Sequence, residues 1–201
     1  MEQVDLWFDP MCPWTWITSR WLVEVERVRP VKVVYHVLSL AVLNEGREGL
    51  DPDYRKRMET VAWYGARACI GVEQRYGQSG LHGFYTRLGT RFHPQGEPVD
   101  PETVRAALAD LCFDTGIADD CTTDKYDEAL RASHQQGISL VGSDVGAPII
   151  AIGGSAIFGP VLSPAPAGEA AGQLFDGVRA VLAYPGFYEL KRTRGVGPVF
   201  G

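Results

Sequence analysis

Cys12 stands in the run Phe8-Asp9-Pro10-Met11-Cys12-Pro13-Trp14-Thr15, where a short apolar strand gives way to a helix. Val4, Leu6 and Phe8 alternate with Gln3 and Asp5, a period-two pattern that ends at an Asp-Pro turn signal. Pro13 suits the first helical position, because its missing N–H would be unpaired there and its φ is already helical. Cys12 is therefore expected near the N-cap, facing free backbone N–H groups and the positive end of the helix dipole. Both favour a thiolate, and such settings bring a cysteine pKa from about 8.5 to between roughly 3.5 and 7.5. The chemistry on offer is redox or nucleophilic. Three residues on, where a two-sulfur redox motif would carry its second cysteine, the chain has Thr15. Its hydroxyl can donate to the Cys12 sulfur but cannot form a disulfide with it. An ordinary buried cysteine is the competing reading of the same run.

The remaining cysteines do not complete a site. Positions 69, 112 and 121 show no paired metal-ligand spacing, and four cysteines in 201 residues make no disulfide framework, so no metal site is expected. Cys69 and Cys112 follow apolar helical stripes and read as core residues. Cys121, beside Asp119 and Asp120, reads as more exposed, with a pKa raised by the adjacent acids. A net charge of −6 with interspersed signs announces no surface for nucleic acid or an anionic membrane. Lys191, Arg192 and Arg194 form the one basic cluster and read as a solvated helix end. With no apolar run approaching the ~20 residues of a membrane span and no signal-peptide pattern, the expected location is the cytoplasm.

The elements that must position Cys12 are legible as a split domain. After a helix from about Pro13 to Arg29, Val31 to Leu40 is β-branched and apolar and reads as a second strand, completing a βαβ unit with a right-handed crossover. Glu45 to Asp53 is a polar loop. From Tyr54 to about His134 the pattern is helical, broken near Gly77–Gly83, Gln95–Asp100 and Gly116–Cys121, with helix starts expected at Asp100-Pro101 and Thr123-Asp124. Pro148-Ile149-Ile150-Ala151-Ile152, the turn Gly153-Gly154 and Ser155-Ala156-Ile157-Phe158 read as a β-hairpin. A closing helix spans about Gly168 to Ala183, and a short one follows Tyr184-Pro185-Gly186. The expected class is α/β, with residues 1–44 and 136–201 forming one domain and 45–135 an inserted helical subdomain.

That order resembles the thioredoxin fold of the DsbA type, βαβ then ββα with a helical insertion. The resemblance implies a cis-proline at the start of the third strand facing the active cysteine, which here is Pro148 in Val145-Gly146-Ala147-Pro148-Ile149. The backbone of Ala147 would then be free to pair with an extended substrate beside the sulfur. Trp7-Phe8-Asp9-Pro10-Met11-Cys12-Pro13-Trp14, Trp16-Ile17-Thr18-Ser19-Arg20-Trp21, the run His36 to Glu45 and the tail Glu189 to Arg194 are similar to the mycothiol-dependent nitroreductases of actinobacteria. This implies a cytoplasmic thiol enzyme that binds no cofactor tightly and takes mycothiol as co-substrate, acting on disulfides or nitroaromatic compounds. Thr15 removes the second sulfur of that family's pair, leaving a single-thiolate exchange mechanism. Two alternatives stay open. One is a thiol transferase or isomerase of the kappa glutathione transferase type, and the other is a non-catalytic module that kept the pocket and lost turnover.

Cys12 and Thr15 are therefore the expected catalytic pair, with Pro13, Trp14, Asn44, Tyr54, Ala147 and Pro148 expected to bind substrate. Trp14 is expected to be exposed, offering an indole face for stacking. Trp7, Trp16 and Trp21 read as core. His36, on an apolar strand, reads as structural, and His134 as sitting at a helix C-terminus. The expected partners are a low-molecular-weight thiol and a small aromatic or disulfide substrate, with a homodimer left open.

Overall fold

A computed structural model describes residues 1–200. Strand β1 (Glu2–Phe8) leads into helix α1 (Pro13–Val28), which returns the chain to β2 (Val31–Val37), parallel to β1. The hairpin β3 (Ile149–Ile152) and β4 (Ser155–Phe158) adds to the other edge of β1, antiparallel, giving the sheet order β2-β1-β3-β4. Its two-residue turn is Gly153-Gly154, with φ of 59° and 86°. That left-handed backbone is what glycine supplies without steric cost. Helix α8 (Gly168–Leu182) packs on α1, where Trp21 Nε1 donates to the Ala171 carbonyl at 3.0 Å.

Between the two halves lie α2 (Leu40–Leu43), α3 (Pro52–Glu59), α4 (Ala62–Phe92), α5 (Pro101–Ala109), α6 (Ile117–Asp120) and α7 (Asp127–Val141). Asp100 caps α5 by accepting from the Thr103 N–H at 2.8 Å. Gly77, with φ 66°, bends α4 at the expected break. The molecule is a thioredoxin fold with a helical insertion, as the pattern of elements indicated.

The alternation along β1 divides the core. Val4, Leu6 and Phe8 join a large cluster with α1, α4 and α8, whereas Trp7 joins a smaller one with Ile149 of β3 and Ile138 of α7. Trp16 of α1 meets α4 at Gly89 and Trp21 is fully buried, as expected of core indoles. Cys12 belongs to the smaller cluster, together with Leu38 and Ala147, so the sulfur sits where the sheet ends and the insertion begins.

Several expectations do not hold. The second strand stops at Val37, because Ser39 takes over as N-cap of α2, its side chain accepting from the Val42 N–H. The expected break at Gly116–Cys121 contains the helical turn α6, and the last insertion helix begins at Asp127 rather than near Thr123. Among the described residues no helix follows Tyr184-Pro185-Gly186: the tail is irregular and largely exposed, so its basic cluster does not stand at a helix end. Cys112 is exposed, held at φ 55° just beyond α5, while Cys121 is fully buried. Its thiol is pushed up to about 12, chiefly by burial, with the adjacent Asp119 and Asp120 charges adding to the rise as expected. His134 lies within α7, one face of which is buried, so no helix-end dipole acts on it. Burial lowers its pKa. His36 is structural, its Nε2 2.8 Å from Asp5 Oδ1 and its ring stacked on Trp7.

Candidate active site

Cys12 is the N-cap of α1, with Pro13 opening the helix. The turn before it is tied locally, since the Cys12 N–H donates to the Asp9 carbonyl at 3.0 Å and Trp16 N–H to the Cys12 carbonyl at 3.1 Å. The side chain does not cap the helix. Instead Sγ lies 3.7 Å from the Ala147 carbonyl oxygen, so the thiol is the donor in that contact. The Ala147–Pro148 peptide is cis, as the resemblance implied. Two further cis bonds, Gly159–Pro160 and Ser163–Pro164, were not anticipated. The Pro160 carbonyl accepts from Thr18 Oγ1 at 2.8 Å and so ties that loop to α1.

The thiol is not the activated group its helix position suggests. Only 5% exposed, it has its pKa raised, with burial the largest cause. The Thr15 side chain and the N–H groups of Thr15 and Trp14 pull it down, whereas the nearby Asp9 charge pushes it up. Donation to the Ala147 carbonyl also favours the protonated form. Thr15 Oγ1 is buried without a well-aligned hydrogen-bond partner, yet lies near enough to the sulfur for its dipole to favour the thiolate.

Asp9 is the functional residue that sequence reasoning missed. In the sequence it is part of a turn signal, but in the fold it is completely buried, with one oxygen accepting from Met11 N–H at 2.8 Å and the other from Leu40 N–H at 2.7 Å. It therefore pins the active-site turn to the start of α2. Burial outweighs both hydrogen bonds and pushes its pKa up to about 6. The clue was available in its flanks, since Leu6, Trp7, Phe8 and Met11 leave an acid at position 9 little chance of reaching water.

Cys12 opens onto a cleft of about 430 Å³ between the turn, α3 and the end of α4. Pro13, Trp14 and Tyr54 line it as expected, joined by Met11, Leu40, Arg57, Met58, Phe92, His93 and Val99. Asn44 stands behind this wall. It is buried, its Nδ2 donates to the Leu40 carbonyl at 2.8 Å, and the same nitrogen lies 3.5 Å from the Tyr54 hydroxyl. Burial first, then the charges of Asp9 and Cys12, raises the Tyr54 pKa, keeping a neutral hydroxyl at the cleft. His93 is tied to the Pro10 carbonyl at 2.9 Å and held down to about 4 by burial, so it is neutral near pH 7. Trp14 is half-buried rather than exposed, because the Arg194 guanidinium from the C-terminal tail lies over its ring, 4.8 Å from the centroid. A second depression, about 550 Å³ around Arg29, Phe175 and Arg179, holds no nucleophile, and its arginines are engaged by Glu169, Asp176 and Glu2.

Solved structures with this architecture include a 2-hydroxychromene-2-carboxylate isomerase (15% identity, TM-score 0.61, covering 89% of this chain and 93% of that one). Another is the cytosolic disulfide reductase DsbM of Pseudomonas aeruginosa with GSH (14% identity, TM-score 0.55, 89% and 99%). At these identities they establish the fold. The uncharacterized protein Rv2286c of Mycobacterium tuberculosis is 32% identical over 198 residues, spanning 96% of this chain and 83% of that protein. The family model described as mycothiol-dependent nitroreductase Rv2466c matches residues 11–192, from the turn that carries Cys12 to the basic tail, and the chain belongs to that Rv2466c-like family.

Proposed function

We propose that this chain is a thiol–disulfide exchange enzyme that works through Cys12 alone, with mycothiol as the exchanging thiol. The observation that carries the reading is the placement of the Cys12 sulfur. It sits at a helix N-cap, at the wall of a cleft, and within 3.7 Å of the Ala147 carbonyl. The family supports thiol oxidoreductase chemistry of this general kind. Thr15 in place of a second cysteine directs it to a one-sulfur course, and a cytoplasmic setting follows from the choice of thiol.

The Cys12 thiol loses its proton to solvent as the sulfur turns from the Ala147 carbonyl toward the N–H groups of Trp14 and Thr15. The thiolate attacks one sulfur of a disulfide, the old S–S bond breaks, and the departing thiolate takes up a proton. A mixed disulfide on Cys12 remains. A second thiolate then attacks the outer sulfur of that mixed disulfide and releases the Cys12 thiolate. Two electrons pass from the incoming thiols to the original disulfide, and the protein ends as it began. Thr15 is the supporting group that favours the thiolate without competing to resolve the intermediate. Trp14, Tyr54 and Pro13 bound the space for the substrate, and Asn44 orients the Tyr54 hydroxyl from behind. Ala147 and Pro148, expected beside the substrate, are not among the residues lining the cleft; Ala147 meets the sulfur through its carbonyl, and its N–H, which pairs with no group among the described residues, is the group that would receive a substrate carbonyl. Because the resting thiol is raised rather than lowered, exchange speeds up through the alkaline range with no plateau below the ordinary cysteine pKa of about 8.5.

Incubation with mycothiol disulfide, followed by intact mass measurement, tests this directly. In a Cys112→Ser background, which removes the exposed competing thiol, the expected result is one mycothiol adduct on Cys12 that excess mycothiol removes, and none once Cys12→Ser is added. An adduct that mycothiol cannot release, or none on Cys12, would replace the enzyme with a binding module.

A further inference from the structure

Although the chain carries a net charge of −6, the cations at the mouth of the Cys12 cleft form no ion pair among the described residues. Most arginines elsewhere are paired: Arg67 with Asp127, Arg91 with Glu97 and Asp110, Arg105 with Asp119, Arg131 with Glu45. Arg57, which lines the cleft, and Arg194, which lies over Trp14, make no ion pair among the described residues. The buried acid beside the sulfur, Asp9, spends both oxygens on backbone N–H groups and faces inward. His93 adds no charge at neutral pH.

Arg194 is not held in place by the regular fold. It belongs to the irregular tail after α8, whose far end is fastened where Ser163 Oγ donates to the Gly197 carbonyl at 2.8 Å and accepts from Val199 N–H at 2.9 Å. Phe200 then packs near His93, with ring centroids 5.6 Å apart. The tail thus carries a guanidinium to the indole face that the substrate must share. A guanidinium lying over an indole keeps its N–H edge free, and that edge matches a carboxylate in a bidentate fashion and can donate to a phenolate oxygen.

From this geometry we infer that Trp14, Arg194 and Arg57 form a subsite for planar aromatic anions, so that the disulfide or acceptor this enzyme prefers is an anionic aromatic compound. The inference rests on the reading of Cys12 as the exchanging thiol and adds the class of substrate. The aromatic ring takes the apolar wall by Trp14 and Met58, and Arg57 on the cleft lining and Arg194 over the indole supply the positive charge that draws its anionic group.

Two aromatic disulfides of opposite character separate the cases: dianionic dithiobis(nitrobenzoate) and neutral dithiodipyridine. Both release a coloured thiol when Cys12 attacks, and a Cys112→Ser background removes the exposed competing thiol. At low ionic strength Arg194→Ala should slow the anionic probe roughly fivefold relative to the neutral one, and added salt should erase the difference in the unaltered protein. Arg194→Glu should push the ratio further the same way, and Arg57→Ala should act in the same direction. An unchanged ratio overturns the subsite. Equal acceleration of both probes overturns it too, since Arg194 would then only shield Trp14. Failure of Cys12 to react with the neutral probe defeats the thiol-exchange reading itself, a result distinct from either.

Discussion

Replacing Asp9 by Asn should change how stability depends on pH, by an amount the structure sets. In the unfolded chain the carboxyl titrates near its ordinary 3.8, whereas burial in the folded protein raises it to about 6. The folded state therefore holds the proton more tightly. Stability from this group is full below 3.8, is lost as pH rises to about 6, and stays lost above. A difference of about two pH units corresponds to ~3 kcal/mol. Asn cannot ionise, so the variant escapes that loss, but its amide offers one acceptor where the carboxylate offers two. Either the Met11 or the Leu40 N–H then lacks a good acceptor, as it also does beside the protonated acid at low pH. The variant should start near the unaltered protein at pH 4 and gain on it by ~3 kcal/mol by pH 7. Urea unfolding of both proteins in half-unit steps across this range measures the difference, and the other acids cancel because they are common to both. Parallel profiles would mean that Asp9 is hydrated or compensated and would refute the reasoning. The same substitution removes a negative charge that raises the Cys12 pKa, so alkylation of Cys12 at pH 8 should quicken.

Thr15→Val keeps the shape and deletes a buried hydroxyl that has no partner. It should stabilise the fold by ~1 kcal/mol, since an unsatisfied buried group costs about that or more, while raising the Cys12 pKa and slowing its alkylation. If denaturant midpoint and alkylation rate both stay put, Thr15 is not supporting the thiolate. Gly89→Ala would set a Cβ 2.3 Å from the Trp16 ring, forcing α4 from α1 at a cost of roughly 1–3 kcal/mol or more. Gly83→Ala in the same helix meets nothing within 4 Å and should instead gain up to ~1 kcal/mol from helix propensity. Thermal melts that fail to separate this pair would show that the Trp16 contact is not tight.

What the sequence discloses and what it withholds follow from the range of the interactions involved. The alternation of Val4, Leu6 and Phe8, the Pro13 helix start, the Asp100 cap and the Gly153-Gly154 turn are local, and each stands where the pattern placed it. The tail has no periodicity to read. Its position depends on Ser163 and His93, distant in the chain, so neither its course nor Arg194 over Trp14 could be foreseen. Cys112 and Cys121 were exchanged for a related reason. An apolar stripe predicts a buried helix face, but Cys112 lies past the end of α5, and the acids beside Cys121 hide a turn that faces inward.

Cys12 combines both kinds of information. Its place at the N-cap is local, because a Cys-Pro helix start puts a sulfur there whatever surrounds it. Its charge state is not. The helix N–H groups pull toward the thiolate within one turn, but the desolvation that wins comes from Leu38, Ala147 and the walls of the cleft, contributed by segments far apart in the chain. Asp9 adds to it from a position set by its bond to Leu40 at the start of α2. A Cys-Pro-Trp run in a shallower cleft would carry a lower pKa with the same local sequence. Substrate that brings hydrogen-bond donors to the sulfur, or displaces the Ala147 carbonyl from it, would move the balance toward the thiolate. Under the proposed mechanism the Cys12 sulfur would stay protonated until a partner arrives, which suits a site with no second cysteine to protect it.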